Sequence, residues 1–169
     1  DSFNLINTNK GNFIVTNDSV AQNYLIDFPS KPTTQNKLID SEYGKLTINI
    51  QTLETDETAD NIVYVSLQTK YPKKVVNQDE IYELNKFYKK CIDNSLQSVS
   101  GELISINDVF YNNRLGKEYK CYFSKGEFLM VYRVFYIDEF LYSLGVITYP
   151  NKDSNKKMSD FFNSFRIVK

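Results

Sequence analysis

The chain has 169 residues, the span of one domain, and its 41% hydrophobic and 24% charged residues suit a folded globular protein rather than a disordered one. Lys+Arg 20 against Asp+Glu 21 leaves a net charge of -1, so no summed field draws in nucleic acid or an anionic membrane surface, and nucleic acid is set aside as a partner. The sequence contains no histidine, which removes Ser-His and Cys-His nucleophile activation and His-containing zinc sites within one chain.

In chain order, residues 1–22 are rich in Asn, Thr and Ser around Phe13-Ile14-Val15 and are expected to form a loosely ordered arm with one short strand. Asn23 to Phe28 reads as a strand stopped by Pro29-Ser30-Lys31-Pro32, because proline lacks the N–H that a ladder needs. From Leu46 to Leu53, Leu46, Ile48 and Ile50 alternate with Thr47, Asn49 and Gln51, the pattern of a strand with one wet face. After an acidic turn, Ile62 to Tyr71 sets Val63, Val65 and Leu67 on one face.

Asn77 is placed to cap a helix over about 79–97, with Glu80 completing a capping-box-like pair. Ile81, Leu84, Phe87, Tyr88, Cys91, Ile92 and Leu96 follow at three-and-four spacing, an apolar stripe that must be buried, and Gly101 fits a left-handed exit. Four strands follow at 102–111, 118–124, 128–137 and 140–149, joined by connections too short for helical crossovers, and are expected to pair as an antiparallel meander. A last helix over 153–163 carries Met158, Phe161 and Phe162 on one face and leads into Phe165 to Val168. The sum is a single α+β domain, 1–169, with an antiparallel sheet of about six to seven strands and helices packed on its faces.

Chemistry-bearing motifs are sparse. The six glycines form no phosphate-binding loop. Glu54, Asp56, Glu57 and Asp60 lack the spacing of a calcium loop and read as a solvated hairpin tip. No catalytic, metal or cofactor-binding residue is assigned, and a non-enzymatic role is expected. Cys91 lies on the helical stripe and Cys121 on a strand face with Tyr119 and Phe123. Two buried reduced thiols, or a Cys91–Cys121 disulfide in an oxidising compartment, both fit. Tyr122, Tyr132, Tyr136 and Tyr142 with Arg133 form the candidate interaction surface, since tyrosine suits interfaces. Asn17-Asp18-Ser19 is a glycosylation-type triplet, and no apolar run is long enough to span a membrane.

The order of several short motifs resembles the PsbP/Mog-like fold family of small exported bacterial proteins, lipoproteins and photosystem II extrinsic proteins. The motifs are Phe28-Pro29-Ser30-Lys31-Pro32, Tyr43-Gly44, the Tyr64-centred strand, Leu115-Gly116-Lys117-Glu118-Tyr119, Tyr132-Arg133-Val134-Phe135-Tyr136 with Leu141-Tyr142-Ser143-Leu144, and Phe161-Phe162-Asn163-Ser164-Phe165. They cover about Tyr24 to Val168. The resemblance implies an α/β/α sandwich and no shared catalytic residues. It further implies an exported protein, periplasmic or outer-membrane-associated, that binds or assembles with another envelope protein and carries a lipid anchor upstream of residue 1. A cytoplasmic protein is the alternative location. The alternative function is carriage of a small apolar or amphipathic ligand between helix and sheet.

Overall fold

Side-chain alternation with a period of two dominates the chain, and the computed structural model, which describes residues 21–56 and 58–168, is accordingly built mainly of strands. The expected strand at Phe13-Ile14-Val15 and the Asn17-Asp18-Ser19 triplet lie outside the described residues. In chain order the elements are β1 (Tyr24–Leu25), β2 (Thr33–Ser41), β3 (Gly44–Glu54), β4 (Asn61–Lys70), α1 (Ile81–Val99), β5 (Glu102–Tyr111), β6 (Arg114–Phe123), β7 (Phe128–Ile137), β8 (Phe140–Thr148), α2 (Lys156–Asn163) and β9 (Arg166–Ile167). Seven strands form one antiparallel sheet in the order β2-β3-β4-β8-β7-β6-β5, and β1 pairs with β9 in a separate two-stranded ribbon.

The meander expected over 102–149 is present as β5 to β8, and β4 adds to its far edge by pairing with β8. Strands account for 50% of the described residues and helices for 22%, so the architecture is mainly β. This corrects the expected α+β class and its α/β/α sandwich. The physical reason is element length. α2 has eight residues, about 12 Å of helix, and α1 is single, so among the described residues neither side of the seven-stranded sheet carries a helical layer.

Both sheet faces nonetheless bury a core. Leu84, Phe87, Tyr88 and Ile92 of α1 pack with Tyr119, Cys121, Met130, Val134, Tyr136 and Leu141 on one face. Met158, Phe161 and Phe162 of α2 pack with Tyr64, Leu129, Val131, Phe135, Tyr142 and Leu144 on the other, together with Tyr24 and Phe165 beside the β1/β9 ribbon. β7 and β8 are therefore apolar on both sides, which erases strict alternation where the sheet is thickest.

Several element boundaries differ from expectation. The stop at Pro29 to Pro32 is present, but β2 follows it at Thr33–Ser41, where no strand was expected. Its sequence, Thr33-Thr34-Gln35-Asn36-Lys37-Leu38-Ile39-Asp40-Ser41, is polar because it is an edge strand with little to bury. Helix α1 begins after Glu80, which makes no side-chain cap bond. The Asn77 side chain instead accepts from the Asp79 amide one turn earlier, at 3.2 Å. The left-handed exit residue is Ser100, with φ of 51°, rather than Gly101. Gly101 serves close approach, since a Cβ there would lie 3.1 Å from the Cys121 sulfur. α2 starts at Lys156, capped by the Asn155 side chain accepting from the Met158 amide at 2.9 Å.

One hydroxyl ties α1 to the sheet. The β6–β7 register ends at Gly116 opposite Phe135, so Leu115 and Tyr136 would form the next pair. There the Tyr88 hydroxyl accepts from the Tyr136 amide at 2.8 Å and donates to the Leu115 carbonyl at 2.8 Å. Tyr88 is 0% exposed, so its loss strands two backbone groups away from water. Tyr88→Phe is expected to lower unfolding free energy by about 2 kcal/mol, read as an earlier midpoint in urea; an unchanged midpoint refutes the pin.

The opposite face of β2, β3, β4 and β8 carries Asn36, Asn49, Gln68 and Tyr142 in one cross-strand row. The amide oxygens of Asn36, Asn49 and Gln68 are buried without a hydrogen-bond partner among the described residues, a desolvation cost that apolar side chains escape. Asn49→Leu, which keeps the branching, is expected to stabilise by about 1 kcal/mol, and a lowered melting temperature contradicts this.

Candidate functional site

α1 runs alongside β6, held by the Tyr88 bond to Leu115 and by the Tyr119 hydroxyl donating to Ser95 Oγ at 2.7 Å. Its flank of Cys91, Asn94, Ser95 and Ser98 forms one wall of a cavity of about 420 Å³. The facing wall is β2, through Thr33, Gln35, Lys37 and Ile39. The floor is the α1 side of β3, β4, β7 and β8, where Ile48, Val65, Leu67, Val134 and Leu141 supply apolar surface. Ile39, Ile48 and Leu67 remain half-buried, as expected of residues lining a groove open to solvent.

The polar groups of this groove are mostly uncharged: hydroxyls of Thr, Ser and Tyr, and the amides of Gln35 and Asn94. Its ionisable lining groups besides thiol and phenol are Lys37 and Glu54, of opposite sign. Burial pushes the Tyr71 and Tyr132 phenols above their ordinary value, so both stay protonated hydrogen-bond donors. Burial also pushes the Cys91 thiol from 9.0 up to about 12.

The structure distributes the expected interaction surface rather than gathering it. Tyr136 is 2% and Tyr142 1% exposed, in the cores of opposite faces. Tyr132 lines the groove floor, and Tyr122 is exposed on β6. Arg133 lies on the α2 face, where its Nε donates to Glu118 at 2.7 Å and its guanidinium sits 4.7 Å from the Phe162 ring centre. Period-two alternation already separates 132 and 136 from 133 along one strand, and only the tertiary fold shows that both sides of β7 are covered.

Cys91 and Cys121 are free thiols in the α1-side cluster. Of the acidic turn, Glu57 lies outside the described residues; the Asp56 carboxylate accepts from the Thr58 amide and hydroxyl, Asp60 faces Lys157 at 3.2 Å, and Glu54 lines the groove. Among the described residues, no three His, Cys, Asp or Glu side chains come together as a metal-binding group, and no helix is long and apolar enough to cross a membrane. The sequence reading missed the β2 wall entirely, because its polar residues carry no periodic apolar signal. A second exposed apolar region lies on the edge strand β5, where Leu103, Ile104, Ile106 and Phe110 are 43%, 44%, 43% and 66% exposed.

With this geometry in view, comparison with family models and with curated proteins returns no match for the chain.

The thiols give a pH-dependent readout. Both hold their protons more tightly in the folded chain, with Cys121 raised to about 11 and Cys91 to about 12. The stability they contribute is complete below the unfolded value of 9.0 and is lost as pH rises through the folded values. Native protein at pH 8 is expected to react slowly with a disulfide reagent at Cys121, which is 0% exposed, and fully once unfolded, with stability falling above pH 9. Rapid native labelling of Cys121 contradicts the burial.

Proposed function

We propose that this chain is a non-enzymatic binding domain of the bacterial cell envelope that carries a small apolar or amphipathic molecule in the groove between α1 and the sheet. The supporting observation is the groove itself. Its volume of about 420 Å³ falls within the roughly 300–1,000 Å³ of small-molecule sites, and its apolar floor with a few polar groups is their usual composition. The absence of histidine from the sequence weighs on the same side, against acid–base catalysis near neutral pH.

Membership of the PsbP/Mog-like family, export and a lipid anchor belong to the same proposal. They rest on motif order, from Phe28-Pro29 through Phe161-Phe162. A precursor whose signal ends in a lipid-modified cysteine upstream of Asp1 supports them, and a plain initiator Met directly before Asp1 overturns them.

A second reading, assembly with another envelope protein, is favoured by the β5 edge. There backbone groups that pair with no other strand among the described residues coincide with exposed Ile106 and Phe110. A photo-crosslinker at Phe110 captures one discrete protein in the intact envelope under this reading.

The groove is tested with N-phenyl-1-naphthylamine, an uncharged dye that brightens in apolar surroundings. Saturable binding of about one dye per chain is expected. Leu67→Trp, which places an indole in the groove at a half-buried position, is expected to weaken it at least about tenfold, the scale of one lost apolar contact. No dye binding, or equal binding by a Leu67→Trp variant with wild-type melting behaviour, overturns the carrier reading.

A further inference from the structure

The ring of Tyr132 occupies an unusual position. Tyr132 pairs with Gly145 across the β7–β8 ladder. A Cβ on residue 145 would lie 2.3 Å from the Tyr132 ring carbon that bears the hydroxyl. The ring therefore lies over β8 in the space that a side chain would fill, directed towards β4, whose Val65 is the next partner of Gly145. It stacks on Tyr119 at 5.7 Å with planes 25° apart.

The hydroxyl at the end of this ring is unused. The Tyr24, Tyr88, Tyr119 and Tyr142 hydroxyls each bond a protein group. That of Tyr132 makes no hydrogen bond among the described residues, although the residue lines the groove. A phenolic donor facing a cavity without a protein acceptor is the kind of group that fixes a ligand's orientation. Tyr71 also lines the cavity but sits among the rings of Tyr43, Phe87 and Tyr136.

Charge narrows the ligand further. The two charged side chains of the lining stand on other rungs of the sheet, Lys37 opposite Ile48 and Glu54 opposite Val63, whereas Tyr132 stands on the rung of Gly145, Val65 and Thr52, so a charged headgroup brought to the Tyr132 hydroxyl would meet no countercharge on its own rung. We propose that the groove selects an uncharged amphipath, an apolar body carrying a hydroxyl or carbonyl oxygen that accepts a hydrogen bond from Tyr132. This rests on the carrier reading of the groove and adds the ligand class and the selecting residue.

The test is displacement of bound N-phenyl-1-naphthylamine from the full chain by 1-octanol, octanoate and octylammonium at pH 7.5. Octanol is expected to displace the dye at a concentration about tenfold or more below that of either ion, the scale of an uncompensated charge. Tyr132→Phe keeps the stacked ring, and is expected to weaken octanol about three- to tenfold, the span of one hydrogen bond, measured against that variant's own affinity for the dye. Octanoate competing as well as octanol, or Tyr132→Phe without effect on octanol, overturns this inference while dye binding leaves the carrier reading standing. Failure of the dye itself to bind removes both.

Discussion

A seven-stranded sheet is about 29 Å across at the usual spacing between strands, whereas a helix with its side chains is about 10–12 Å thick. α1 can therefore cover only a part of the face it packs on. The position it takes, beside β6 with its stripe over Tyr119, Cys121 and Tyr136, leaves the β2–β3–β4 wing of that face open. The groove is the direct geometric remainder of one helix on a wide sheet, and everything said about its lining follows from where α1 comes to rest.

That resting place is set by a small number of contacts. Tyr88 substitutes for a missing rung of the β6–β7 ladder, and Tyr119 reaches Ser95 one helical stretch later. Gly101 then lets the chain pass close to the Cys121 sulfur as it turns into β5. On the same face, Gly145 admits the Tyr132 ring over β8, so the position of one phenol in the groove depends on the lack of a side chain on the neighbouring strand. Positioning and chemistry meet in residues that look, singly, like ordinary sheet tyrosines and turn glycines.

The chemistry of the groove is quiet: hydroxyls, amides and one pair of opposite charges around apolar strands. Such a lining provides orientation and shelter rather than proton transfer, which accords with a sequence free of histidine. The opposite face holds the contrary arrangement. There, α2 and the β1/β9 ribbon close over rings, and Arg133 is neutralised by Glu118 beneath Phe162.

Periodicity within the chain determined the antiparallel meander, the long amphipathic helix and the apolar face of α2, because each is a local pattern read against a fixed repeat of 2 or 3.6. Strand β2 escaped it, since an edge strand that buries little needs no apolar alternation, and Thr33 to Ser41 has none. The tertiary structure alone decided that the balance is mainly β, that Tyr136 and Tyr142 are core, and that Tyr132 ends in a cavity. A residue's two neighbours along the chain set which side of a strand it faces, but what lies above that side belongs to elements tens of residues away.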